Sequence, residues 1–135
     1  MGLYEAGLKV TAAQYLGAVL HLQALARQVA AWHERYDAWL TPTLATPPIP
    51  IGTIDFDERD PMKGFGPIID YVPFTALQNA TGQPAINLPL NMTADGLPVG
   101  VQFVGRLGAE ALLLQLARTI EKAEPWKHRH PSIWD

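Results

Sequence analysis

The sequence predicts an α/β chain with a partial mixed sheet and flanking helices. Three observations carry this. A long stripe of apolar residues at helical spacing opens the chain, a pair of strand-like runs joined by Asp95-Gly96 occupies its second half, and another helical stripe follows them. Two or three strands cannot cover helices of this length, so the sheet reads as part of a larger one. At 135 residues, with 48% hydrophobic and 17% charged residues, the chain is domain-sized and rich enough in apolar side chains to build a core.

The first helix is expected over about residues 11–35. Thr11-Ala-Ala-Gln14 fits a capping box, with Val10 and Tyr15 placed for a hydrophobic staple. Ala12, Tyr15, Val19, Leu22, Ala26, Val29 and Tyr36 then recur three and four apart, and no proline intervenes before Pro42. So long a helix is expected to pack along something large. Ala38-Trp39-Leu40 reads as a short buried strand, with Pro42 biasing Thr41 toward extended backbone.

Residues 41–73 hold seven of the twelve prolines, together with Gly52, Gly64 and Gly66, and are expected to be an irregular loop through most of their length. Their internal hydrophobes (Ile49, Ile51, Ile54, Phe56, Phe65, Ile68, Ile69) predict a loop pinned against a surface. Phe74–Ala80 suits a short helix, with Pro73 in its first turn and Gly82 as its stop.

Ala85–Leu90 and Pro98–Val104 form the expected strand hairpin over 85–104, and Pro89 marks an end or a bulge in its first strand. The last helix is expected over 109–123, with Glu110 and Lys122 complementing its dipole and Pro125 ending it.

Several function classes recede on composition. Ten basic against thirteen acidic residues give a net charge of −3, which suggests neither nucleic acid nor an anionic membrane as a partner. With no cysteine there is no disulfide or thiolate chemistry. No apolar run is long enough to cross a bilayer, and the first ten residues do not read as a signal peptide, so a soluble, cytoplasmic chain is expected.

The chemistry-bearing candidates read blandly one by one. His128 and His130 could share a strand face, but no third metal ligand is near, and His21 and His33 are isolated on the first helix. Asp55, Asp57, Glu58 and Asp60 lack the spacing of a calcium loop. The glycines of Gly96–Gly100 and Gly105–Gly108 read as turns, not as a phosphate cradle. Thr41-Pro-Thr43 and Asn79-Ala-Thr-Gly82 read as turn chemistry. Serine occurs once, at Ser132, so no nucleophile, base and oxyanion set can be assembled from these residues.

Four segments together resemble the amidase signature family: Tyr36-Asp-Ala-Trp-Leu-Thr-Pro-Thr43, Asn79-Ala-Thr-Gly-Gln-Pro-Ala-Ile-Asn-Leu-Pro89, Gly96-Leu-Pro-Val-Gly-Val-Gln-Phe-Val-Gly105 and Glu110-Ala-Leu-Leu-Leu-Gln-Leu-Ala117. Their order and spacing match the C-terminal third of the family fold. The resemblance implies amide-bond hydrolysis by a serine, a bridging cis-serine and a lysine base, without metal or cofactor. It also implies that residues 1–135 form a single C-terminal fragment of a longer amidase domain around one mixed sheet.

The serine-rich glycine loop of that family has no counterpart here, so no catalytic residue is assigned. By position, Thr43, Phe74 and Gln78 are the expected substrate-binding residues. Trp39, Phe56 and Phe65 lean toward hydrophobic or aryl amides. The chain is expected to be inactive alone, with a small-molecule amide as substrate only in the complete enzyme. A non-enzymatic scaffold or binding module, or the C-terminal piece of a two-chain amidase, are the alternatives. The possible protein partners are a second copy of the chain or an N-terminal amidase piece.

Overall fold

The computed structural model describes residues 2–55, 60–130 and 132–134. In order, the elements are α1 (Gly2–Gly7), α2 (Ala12–Trp32), β1 (Ala38–Pro42), α3 (Pro61–Tyr71), α4 (Ala76–Thr81), β2 (Ala85–Met92), β3 (Pro98–Gly105) and α5 (Glu110–Ala123), with a single 3-10 turn at Ser132–Trp134. The three strands form an antiparallel sheet in the order β1-β3-β2. Helix α5 packs on β2 and β3, while α4 packs against α2.

Local signals become local structure where expected. The Thr11 hydroxyl accepts from the Gln14 N–H at 3.2 Å, and Gln14 Oε1 accepts from the Thr11 N–H at 2.8 Å, so the capping box is complete. The accompanying staple buries neither Val10 nor Tyr15. Gly82 caps α4 in the left-handed region, at φ 82°, which a side chain would disfavour. The 93–97 turn joins β2 and β3, and the register slips between Leu88 and Asn91, so Pro89 sits in a bulge as its missing N–H requires.

Several boundaries differ from expectation: α2 ends at Trp32 and not near residue 35, and β2 runs on past Leu90 to Met92. The segment 41–73 is not loop throughout, because residues 61–71 form α3. Pro61 is its first residue, where a missing N–H costs nothing, and the bond that Pro67 cannot make would go to Lys63, which is exposed to water. Helix α4 starts at Ala76 and not at Phe74, because side-chain amides, described below, take up the Phe74 carbonyl.

The loop is also only partly pinned. Ile49, Ile54, Phe65 and Ile68 are half-buried, but Ile51 and Ile69 are exposed. Phe56, Asp57 and Glu58 lie outside the described residues.

The core is small. Among the described residues the buried hydrophobics are Leu88, Val104, Ala109 and Leu113, with Val104 of the central strand fully enclosed. Helix α2 buries no residue. Its C-terminal half meets the body through Leu25, Val29 and Trp32, which gather with Trp39 and Leu77. Trp32 stacks on Tyr36 at 4.4 Å and tilts against Trp39 at 5.7 Å. Its N-terminal half leaves Tyr15, Leu16 and Leu20 each more than half exposed. A monomeric globular chain rarely leaves so much apolar surface together.

Candidate functional site

Side chains alternate across a strand, so the register decides which polar groups meet. Thr41 of β1 lies opposite Gln102 of β3, which lies opposite Asn87 of β2. Thr43 continues β1 past its end, its N–H donating to the Gly100 carbonyl at 3.2 Å. Thr41, Thr43, Gly100, Gln102 and Asn87 therefore share one face of the sheet.

Two polar clusters result. In the inner one, Gln102 is buried and its Nε2 donates to Thr41 Oγ1 and to the Phe74 carbonyl, both at 3.2 Å. Gln78 is also buried, and its amide, oriented to satisfy its neighbours, donates to the carbonyls of Phe74 at 2.6 Å and Thr75 at 3.3 Å. These bonds fix the turn before α4 onto β1 and β3. The buried Gln78 and Gln102 amides are tolerated there because their donors are paired.

In the outer cluster, the Thr43 hydroxyl donates to Asn87 Oδ1, joining the two edge strands across the central one. Gly100 makes that possible. A Cβ at position 100 would stand 2.5 Å from Asn87 Oδ1 and 2.7 Å from Thr43 Oγ1, closer than nonbonded atoms approach. The cluster opens into a groove of about 630 Å³, lined by residues 42–48 of the proline-rich segment, by Asn87 and Pro89, and by Pro98, Val99 and Gly100. None of these lining residues carries a charge.

Of the three expected site residues, Thr43 lines this groove. Phe74 and Gln78 lie one row inward, tied into the buried cluster. Trp39 borders a separate hollow with Leu25, Val29 and Leu77, and Phe65 lies in α3. Asn87, Gly100, Gln102 and Thr41 were not singled out as site residues from the sequence. The signal for them was the period-2 alternation Gly100-Val-Gln102, Thr41-Pro-Thr43 and Ala85-Ile-Asn87, which has no meaning until the strands are paired.

Among the described residues the other titratable groups do not converge. His33 is buried at the end of α2, 3.4 Å from the Tyr36 carbonyl through Nδ1, and His130 stacks on Trp134. Asp55 pairs with Lys63 at 3.4 Å, with both side chains largely exposed, so the pair contributes little. Among the described residues no group of three or more His, Asp or Glu could hold a metal ion, and no helix is long and apolar enough to cross a membrane.

The family model described as Amidase matches residues 3–114. The chain belongs to the amidase family. AmiC of Mycobacterium leprae, named as an amidase, is 43% identical over 109 residues, which are 81% of this chain and 23% of that protein. The 6-aminohexanoate-cyclic-dimer hydrolase of Paenarthrobacter ureafaciens is 34% identical over 131 residues, 93% of this chain and 27% of that protein.

Among solved structures, a 6-aminohexanoate cyclic dimer hydrolase superposes on 94% of this chain and 28% of its own, with a TM-score of 0.86 and 34% identity. A glutamyl-tRNA(Gln) amidotransferase polypeptide of Thermotoga maritima superposes on 93% of this chain and 26% of its own, with a TM-score of 0.73 and 31% identity. The chain thus spans about a quarter of the length of the amidase relatives it matches. Its α/β architecture is that of the amidase signature enzymes.

Proposed function

We propose that this chain forms part of the substrate pocket of an amide hydrolase whose attacking serine and lysine base belong to other polypeptide. The amidase match over residues 3–114 carries the reading, together with a single serine that sits in the 132–134 turn. Thr43 is the direct substrate contact. Phe74 and Gln78 shape the row behind it. The substrate is an amide with a hydrophobic or aryl portion, in keeping with the apolar, uncharged groove. The reaction adds water across a carbon–nitrogen amide bond, releasing an acid and an amine or ammonia. Cytoplasmic placement belongs to the same proposal and is checked by fractionation.

The exposed apolar half of α2 favours a chain completed by further amidase polypeptide, covalently or as a partner, over an independent binding module. The test is direct. The purified chain, incubated with phenylacetamide, is expected to release no ammonia above the buffer rate. Turnover at an enzyme-like rate, abolished by a serine-directed inhibitor, would place the nucleophile within these 135 residues and overturn the reading.

A further inference from the structure

The geometry points to a second binding site, for a carboxylate carried on an apolar body, in the hollow where the C-terminal tail meets the β2–β3 hairpin. It is separate from the groove at Thr43 and stands apart from the proposed amide hydrolysis.

Pro125 stops α5, and the chain then turns. The Arg129 N–H donates to the Trp126 carbonyl at 2.8 Å, which brings Trp126 and Arg129 to one hollow. The guanidinium is held from the hairpin side. Its Nη1 donates to the Pro89 carbonyl at 3.2 Å, at the bulge where the β2–β3 ladder is interrupted. The hollow measures about 350 Å³ and is lined by Trp126, His128, Arg129 and His130 of the tail, with Pro89 and Pro98 on the strands. Small-molecule sites usually occupy about 300–1,000 Å³.

Charge selects the ligand first. No lining residue is acidic, the guanidinium is always positive, and an imidazole is neutral or positive. Among the described residues Arg129 has no carboxylate partner. Asp95 lies in the hairpin turn but is not part of the lining, and it pairs with no cation among the described residues.

Geometry selects it further. Arginine only donates, so the direction of its bonds is not in question. Nη1 alone is engaged by Pro89, so the edge formed by Nε and Nη2 keeps two parallel N–H groups. Such an edge matches the two oxygens of a carboxylate. The bond to Pro89 also orders the guanidinium before any ligand arrives, which lowers the entropy lost on binding. Half-buried Trp126 and the two prolines offer apolar surface to the body of the ligand. Arg129 is exposed, and ion pairs in water are weak, so the preference for an anion is a matter of a few-fold.

The experiment titrates the isotope-labelled 135-residue chain with phenylacetate, phenylacetamide and phenethylamine, following the Trp126 indole N–H and the Arg129 Nε–H. Phenylacetate is expected to shift both, and the other two probes to bind about threefold to fivefold more weakly. Raising the ionic strength is expected to weaken phenylacetate and leave phenylacetamide unchanged. Arg129→Gln is expected to bring phenylacetate down to the level of phenylacetamide, and Arg129→Lys, which keeps the charge without the paired edge, to recover part of the loss. No binding of phenylacetate, shifts that map to Thr43 and Gly100 instead, equal binding of the three probes, or a preference indifferent to salt would each overturn the inference. So would an Arg129→Gln chain that binds phenylacetate as well as the parent. Where that substitution also loosens the tail from Pro89, the probe series and the salt series on the parent chain decide.

Discussion

Thr43 and Asn87 come from opposite edge strands and bond over the glycine of the strand between them. This contact closes the outer row of the sheet and forms one wall of the groove. It depends on the absence of a single carbon. Gly100→Ala is expected to push the two side chains apart and break their hydrogen bond, at a cost of about 0.5–1.5 kcal/mol, the net worth of one such bond. A fall in the urea midpoint checks it, and an unchanged midpoint would show that the row opens freely.

The row behind holds by buried amides. Gln102→Leu would leave the Thr41 hydroxyl without its donor and remove one of the donors on the Phe74 carbonyl. Each buried polar group left unsatisfied costs about 1–3 kcal/mol. A loss of about 2 kcal/mol is expected in chemical denaturation, with faster hydrogen exchange at the start of α4. Gln102→Glu is not a rescue, because a carboxylate has no N–H to donate.

Helix α2 rests on its cap more than on its packing at the N-terminal end. Thr11→Ala removes the hydroxyl that accepts from Gln14 N–H. A loss of about 1 kcal/mol is expected, read as increased amide exchange in the first turn of α2. Protection unchanged in that turn would mean that Gln14 alone holds the helix start.

Leu16 and Leu20 are 57% and 55% exposed on that same helix. The chain is expected to bind a hydrophobic dye and to self-associate through this face. The double variant Leu16→Lys and Leu20→Lys is expected to lower both signals while changing stability by about 0.5 kcal/mol or less, as for surface positions. Light scattering and dye fluorescence measured together decide it. Dye binding that survives the double change would locate the open surface elsewhere.

Signals that act within a few residues were legible in the chain itself. The Thr11–Gln14 box, the Gly82 stop, the Pro89 bulge and the α5 periodicity depend on neighbours that the backbone keeps close whatever the rest of the chain does. The α/β class and the incomplete sheet followed from counting such elements. Thr43 was placed by resemblance and not by counting elements; in the structure it lines the groove. Helix α3 was masked by its composition, since proline and glycine usually break helices, and only position within the turn makes Pro61 harmless.

What the tertiary structure alone decided is the meeting of distant polar groups. Thr43 and Asn87 are 44 residues apart in sequence, and Thr41 and Gln102 are 61 apart. Hydrophobic patterning says that a strand has two faces but not which strand lies beside it, or in what register. A slip of one residue would turn Asn87 to the opposite face. Sequence alone thus determined most of the elements and pointed to the family. Strand pairing decided that a threonine, an asparagine and the gap left by a glycine make one surface, because hydrogen bonds and close approach are set by distance in space and not by distance along the chain.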